Sequence, residues 1–212
     1  MWSPDGLRIA YLHRGDGKLV GAGDGNLVTK AADGTGQEEV LEEAVKGPTD
    51  WTHDGGYLVT MTPPGNPKTG SDIWSLPLSG PDARRAAPLR RTEFLEGYGR
   101  VSPDGRWLAY ESNETNRFEV YVVGFPSLNG RWQISANGGR SPVWSRDGRE
   151  LYFIGNGSSL MAVEIKSGAQ FQAGIPKPLF DVPLEPASTK YDVSADGRFL
   201  IAAPAQSSAK SP

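Results

Sequence analysis

Among its 212 residues the chain has no cysteine, two histidines and three methionines. The missing cysteine excludes disulfides and thiolate metal sites and leaves the compartment open. With only His13 and His53, the usual acid–base side chain near neutral pH is scarce. No stretch approaches the roughly 18 consecutive apolar residues of a membrane-spanning helix. The opening "MWSPDGLRIA" lacks the basic-then-apolar order of a secretory signal. A net charge of −3 argues against nucleic acid as partner, because phosphate binding needs clustered Lys and Arg. Chemical signatures are missing too: no G-x-S-x-G elbow, H-E-x-x-H pair, EF-hand loop or S-x-D-x-G-x-T-W box occurs. The expectation is a chain with no metal and no cofactor.

What the chain has in quantity is turn formers, 27 Gly and 17 Pro. They suit many short strands better than a helical bundle. They are also periodic. "WSPDGLRIAY", "WTHDGGYLVT", "VSPDGRWLAY", "VWSRDGRELYF" and "DVSADGRFLI" share an Asp-Gly corner. Its residues are Asp5 and Gly6, Asp54 and Gly55, Asp104 and Gly105, Asp147 and Gly148, and Asp196 and Gly197, with the Asp positions 49, 50, 43 and 49 residues apart. Three positions before each Asp stand Trp2, Trp51, Val101, Trp144 and Val193; four after it stand Ile9, Leu58, Leu108, Leu151 and Leu200. These positions read as core between stacked sheets, because strand side chains alternate with period two.

A third strand is expected at Asn26–Lys30, Asp72–Leu76, Glu119–Val123 and Ser159–Ile165. A fourth is expected around Glu39–Leu41, Ala87–Arg91, Arg131–Ile134 and Pro178–Asp181. Only "GQEEVLEEAVKG" has helical spacing, and it falls where an outer strand belongs. Four antiparallel strands in 43 to 50 residues make one propeller blade. The fold class is therefore all-β, a β-propeller of residues 1–203 with blades near 1–43, 49–92, 98–135 and 141–183 and a half blade at 190–203. Residues 204–212, small and polar, are expected to be a disordered tail. Two closures remain, a five-blade ring completed by a half blade or an open piece of a larger ring. The second is favoured, because nothing at the N-terminus supplies the missing outer strands.

The five hairpins, S-x-D-G in four and T-H-D-G in the second, resemble the TolB-type, WD-like β-propeller repeat of bacteria, over Trp2 to about Ala203. The segment from "WQISANGGRSPVWSRDGRELYF" to "YDVSADGRFLI" is similar to the last blades of propellers attached to bacterial serine/threonine kinases. That resemblance implies a cytoplasmic kinase domain, a membrane helix and an extracytoplasmic, periplasmic propeller in the parent protein. The chain itself has no H-R-D and no D-F-G, so no kinase activity carries over. It also lacks the apolar strand expected after "FLIAAP".

The functional expectation is a non-catalytic binding or scaffold module. The turn Asps, recurring once per blade, suit hydrogen bonding within the corner better than a catalytic dyad. His13 and His53 read as loop and turn residues. The doublets Arg84–Arg85 and Arg90–Arg91 read as a solvated outer strand and loop, without the interleaved aromatics of a nucleic-acid groove. Loops opposite the corners vary in length and composition, so that face is expected to meet a protein or peptide. Phe94, Tyr98, Asn116, Arg117 and Phe118 are its candidate contacts. Open blade edges would add self-association. The rival reading is the propeller portion of a hydrolase, of peptidase, lactonase or glycosidase type, whose catalytic residues lie elsewhere.

Overall fold

The computed structural model describes residues 1–13, 25–43, 46–63, 68–166, 168, 170–182 and 191–202. The expected tail 204–212 and the Gly-rich connection carrying Asp16 and Asp24 lie outside them. The described residues form antiparallel sheets in sequence order. The first blade holds β1 (Arg8–His13), β2 (Asn26–Ala31) and β3 (Glu39–Glu42), with Trp2 bridged to Ile9 on the inner side. The second is β4 (Gly47–Trp51), β5 (Tyr57–Met61), β6 (Ile73–Pro77) and β7 (Ala87–Arg90). The third is β8 (Glu96–Val101), β9 (Trp107–Ser112), β10 (Glu119–Gly124) and β11 (Trp132–Gln133).

In the fourth blade, β12 (Gly139–Trp144), β13 (Glu150–Gly155) and β14 (Ser159–Lys166) are followed by a divided outer strand. Its pieces, β15 (Gln172–Ala173) and β16 (Lys177–Asp181), both pair with β14. The hairpin of β17 (Tyr191–Val193) and β18 (Phe199–Ile201) comes last. The expected fourth strand at Arg131–Ile134 shrinks to two residues, and "EEVLEE" is extended rather than helical.

The second, third and fourth blades are buried on both faces, so their strands are apolar on both parities. Leu58 and Leu76 turn to the first blade, against Ala10, Leu27 and Leu41. Their neighbours Val59 and Ile73 turn the other way, against Leu108, Tyr110 and Tyr121 of the third blade. Ala109, Val120 and Val122 then meet Leu151, Phe153 and Val163 of the fourth. The core is thus a series of interfaces between stacked sheets, each too small to be stable alone.

Gly99 shows how close the stacking is. A Cβ there would lie 3.0 Å from Val59 Cγ1 and 3.1 Å from Ile73 Cγ2, across the interface between the second and third blades. Gly99→Ala is expected to destabilise by about 1–3 kcal/mol through overpacking, read as a lower denaturant midpoint.

The last hairpin departs from the repeat. In the first four corners the Ser or Thr N–H donates to the carbonyl five residues on, as from Ser102 to Trp107 at 2.7 Å and from Ser145 to Glu150 at 2.9 Å. Ser194 donates instead to Arg198, four residues on, at 2.9 Å. Trp144 pairs with Leu151 and Val101 with Leu108, but Val193 pairs with Phe199. A one-residue shift in register turns every side chain of a strand to its other face. Phe199 and Ile201 therefore pack on Tyr152 and Ile154, and Leu200 is 77% exposed. Core placement was the expectation for Leu200; it is corrected by this shift. It is corrected too for Trp2, which is 61% exposed.

Candidate functional site

The repeated corners gather at one end of the stack. In each, the hydroxyl two residues before the Asp donates to its Oδ1, at 2.5 Å in Ser3–Asp5, 2.6 Å in Thr52–Asp54 and Ser102–Asp104, and 2.7 Å in Ser145–Asp147; Ser194 donates likewise to Asp196. In the first four, the same Oδ1 accepts the N–H two residues on. The following glycine sits at φ between 70° and 77°, where a side chain would strain. These hydrogen bonds hold the carboxyls of Asp5, Asp54, Asp147 and Asp196 below their usual range. The five acids are held in turn geometry.

Inside this rim the ends of the innermost strands enclose a cavity of about 440 Å³. Trp2, Asp50, Trp51, Arg100, Val101, Trp144, Asp192 and Val193 line it, with His53 and Arg146 at the corners. An innermost strand has one unpaired edge, and buried backbone groups need partners. Neighbouring blades supply them. The Val101 N–H donates to Asp50 Oδ2 at 2.7 Å, the Ser141 N–H to Glu111 Oε2 at 2.7 Å, and Thr49 Oγ1 to the Gly99 carbonyl at 2.9 Å. Trp144 Nε1 donates to the Arg100 carbonyl and the Tyr191 hydroxyl to the Ser141 carbonyl, both at 2.9 Å. Burial pushes the Asp50 carboxyl up to about 6, against the opposing pull of Arg100, whose Nη1 is 3.6 Å away. Burial raises Glu111 as well.

The opposite end carries the variable loops. There Arg117 and Phe118 share a cleft of about 430 Å³ with Asn137, Arg140 and Asn156. The Arg140 guanidinium lies 3.9 Å from the Phe118 ring centroid. Arg117 Nε donates to Glu119 Oε1 at 2.6 Å and its Nη2 to the Ala136 carbonyl. Fully buried Glu119 also accepts from Gly138 N at 3.0 Å and from the Ser135 hydroxyl, which fixes the connection into the fourth blade.

Asn116, at φ 62°, forms the adjoining turn without lining the cleft. Phe94 is half-buried in the loop before β8 and also stands apart from it. Tyr98 belongs to β8 itself rather than to a connection. It is 42% exposed, with φ 51°, at a bulge between Gly97 and Arg100. Ser141 occupies the same repeat position in β12, with φ 53°. The structure thus brings Arg117 and Phe118 together and leaves Phe94, Tyr98 and Asn116 around them.

His13 reaches Glu38 through Nδ1 at 2.5 Å, at the end of β1 away from the corners, whereas His53 sits on the corner rim. Three of the four doublet arginines, Arg84, Arg85 and Arg91, are exposed as expected, and Arg90 is half-buried. Arg84 reaches Glu39 of the first blade, Arg90 lies 3.6 Å from Glu96, and Arg91 lies 3.9 Å from Asp72. Among the described residues, no helix is long and apolar enough to cross a membrane and no metal-binding cluster of acids and histidines occurs.

The fold is a TolB-like β-propeller. A structure described as TolB from Agrobacterium tumefaciens superposes with a TM-score of 0.62 at 20% identity, over 84% of this chain and 64% of that one. TolB from Acinetobacter baumannii gives 0.64 at 18% identity, over 93% and 51%. A puromycin-hydrolyzing peptidase from Mycobacterium tuberculosis gives 0.52 at 21% identity, over 83% of this chain and 31% of that one. The chain therefore spans between half and two thirds of the TolB chains it matches. No family model and no curated protein matches the sequence.

Proposed function

We infer that the chain is a non-catalytic propeller module that holds a protein or peptide on its variable face. The observation that carries this reading is the cleft between the third and fourth blades. There Phe118, Arg140 and Arg117 project from hairpins braced by buried Glu119 and Glu111. A rigid frame with side chains on its loops is the usual platform for recognition. Tyr98, Phe94 and Asn116 extend the proposed contact surface. The separation of the two histidines, one at each end of the stack, supports a reading without acid–base chemistry. The TolB likeness supports an extracytoplasmic setting, and the resemblance of the C-terminal repeats to kinase-attached propellers, read from the sequence alone, extends the proposal to a protein-interaction or sensor region of a larger bacterial protein. A second reading, the propeller portion of a hydrolase, takes its support from the peptidase likeness.

Selection of displayed peptides on the purified chain tests the proposal. Bound peptides are expected to lose about tenfold or more in affinity with Phe118→Ala or Tyr98→Ala, the loss usual for an aromatic anchor. Peptides insensitive to both changes would defeat the face assignment. Turnover of ester, lactone, peptide or glycoside substrates, abolished by His13→Ala or His53→Ala, would defeat the non-catalytic reading.

A further inference from the structure

The widest of the cavities described lies far from the variable-face cleft, on the outer rim at the corner end, between the third and fourth blades. It encloses about 520 Å³ and is lined by Trp107, Trp132, Phe171, Asn129, Gln170 and Ser127, among others. The three rings form a corner. Trp107 and Trp132 meet edge to face with centroids 5.5 Å apart and planes at 89°, and Phe171 closes on them at 5.2 and 5.0 Å. Phe171 is buried and anchors the corner to the core. The two indoles are half-buried, and so present ring surface to the cavity. Trp132 lies over Gly130, where even a Cβ would come within 2.3 Å of the ring.

The polar groups around this floor are unspent. Among the described residues, the side chains of Asn129, Gln170 and Ser127 make no hydrogen bond, and neither indole N–H has a partner. Arg106, the one cation lining the cavity among the described residues, is held by Asp104 at 2.7 Å and by the Gly168 carbonyl at 2.9 Å. The pocket therefore offers aromatic surface ringed by neutral amide and hydroxyl groups, with its positive charge already paired.

The geometry points to a binding site for a neutral hexopyranose, the ring at the end of a glycan. Such a ring has a C–H face that stacks on an indole and hydroxyls at its edge that match amide donors and acceptors. A pocket of a few hundred Å³ with apolar walls and a few convergent polar groups is the general form of a small-ligand site. The perpendicular indoles argue against a proline-rich peptide, whose extended helix lies along a groove rather than in a corner between edge-to-face rings. The paired Arg106 argues against an acidic sugar.

The test is a glycan array with the purified full chain, followed by tryptophan fluorescence and saturation-transfer NMR with methyl hexopyranosides. The expected result is binding of glycans ending in a neutral hexose and a fluorescence change on titration. Asn129→Ala and Gln170→Ala lie on the exposed rim and should leave the thermal midpoint unchanged. Each should weaken binding about tenfold, the usual consequence of losing one good hydrogen bond to a ligand. Trp132→Ala should abolish binding. Phe118→Ala, in the variable-face cleft, should leave sugar binding intact, so this site and the peptide surface fail independently. No hexose response, a response unaffected by both amide changes, or a preference for proline-rich peptides or acidic sugars would each overturn the assignment.

Discussion

Leu151→Ala is expected to cost about 2–5 kcal/mol of folding stability, and Leu200→Ala under about 0.5 kcal/mol, although the repeat gives the two leucines the same position. Leu151 is fully buried among Trp144, Phe153, Val120 and Val122, so alanine would leave a cavity in a close-packed interface. Leu200 faces outward because the last hairpin closes one residue early. Its neighbour Phe199 has taken the buried side, 5.0 Å from the Tyr152 ring and 5.7 Å from Phe180. Phe199→Ala should therefore cost about 2–3 kcal/mol, well above the loss at Leu200. Denaturant midpoints of the three variants decide the matter. A large loss at Leu200 with a small one at Phe199 would mean that the hairpin holds the register of its sister repeats.

The same comparison marks where the sequence stops being legible. Asp-Gly corners and the spacing of apolar residues are local signals, and they place β2, β6, β10 and β14 within a residue or two of their observed bounds. Register is not local. The corners around Asp147 and Asp196 share the pattern S-x-D-G-R, yet the hairpins pair differently. The choice rests on whether Phe199 or Leu200 fits better against Tyr152 and Ile154. The split of the fourth blade's outer strand around Gly174 was hidden for a similar reason, since two-residue β15 carries no periodicity of its own.

The candidate sites were legible by residue type and not by arrangement. Arg117 and Phe118 stood out as exposed-looking loop residues, but their cleft is completed by Asn137, Arg140 and Asn156 from the next blade. The indole corner combines residues 107, 132 and 171, which lie apart in the sequence and meet only in the fold. Asp50 drew no expectation from the sequence. Its partners Arg100 and Val101 are some fifty residues away, although a carboxylate directly before a −3 tryptophan was a clue available in the repeat alignment.

Asp50 also sets the sharpest pH dependence expected of the fold. Its carboxyl is pushed from 3.8 to about 6, chiefly by burial, so the folded chain holds this proton more tightly than the unfolded chain does. The stabilisation it contributes is fully present below the unfolded value of 3.8 and is lost as pH rises through about 6. Over the whole span that amounts to about 3 kcal/mol, and between roughly pH 7.5 and pH 4.5 to about 2 kcal/mol. The acids of the corners run the opposite way, since hydrogen bonds lower them, and Glu111 runs with Asp50. A difference between wild type and Asp50→Asn cancels these other groups. The asparagine oxygen can still accept the Val101 N–H now held at 2.7 Å, so the variant should fold. The stability of wild type relative to the variant is therefore expected to rise by about 2 kcal/mol as the pH falls from about 7.5 to about 4.5. A difference that stays flat over this range would show Asp50 ionising as an ordinary surface carboxylate. One that is flat to about pH 4.5 and falls at lower pH would show Arg100 outweighing burial, and with it a mouth held together by the charge pair rather than by the backbone bond between the second and third blades.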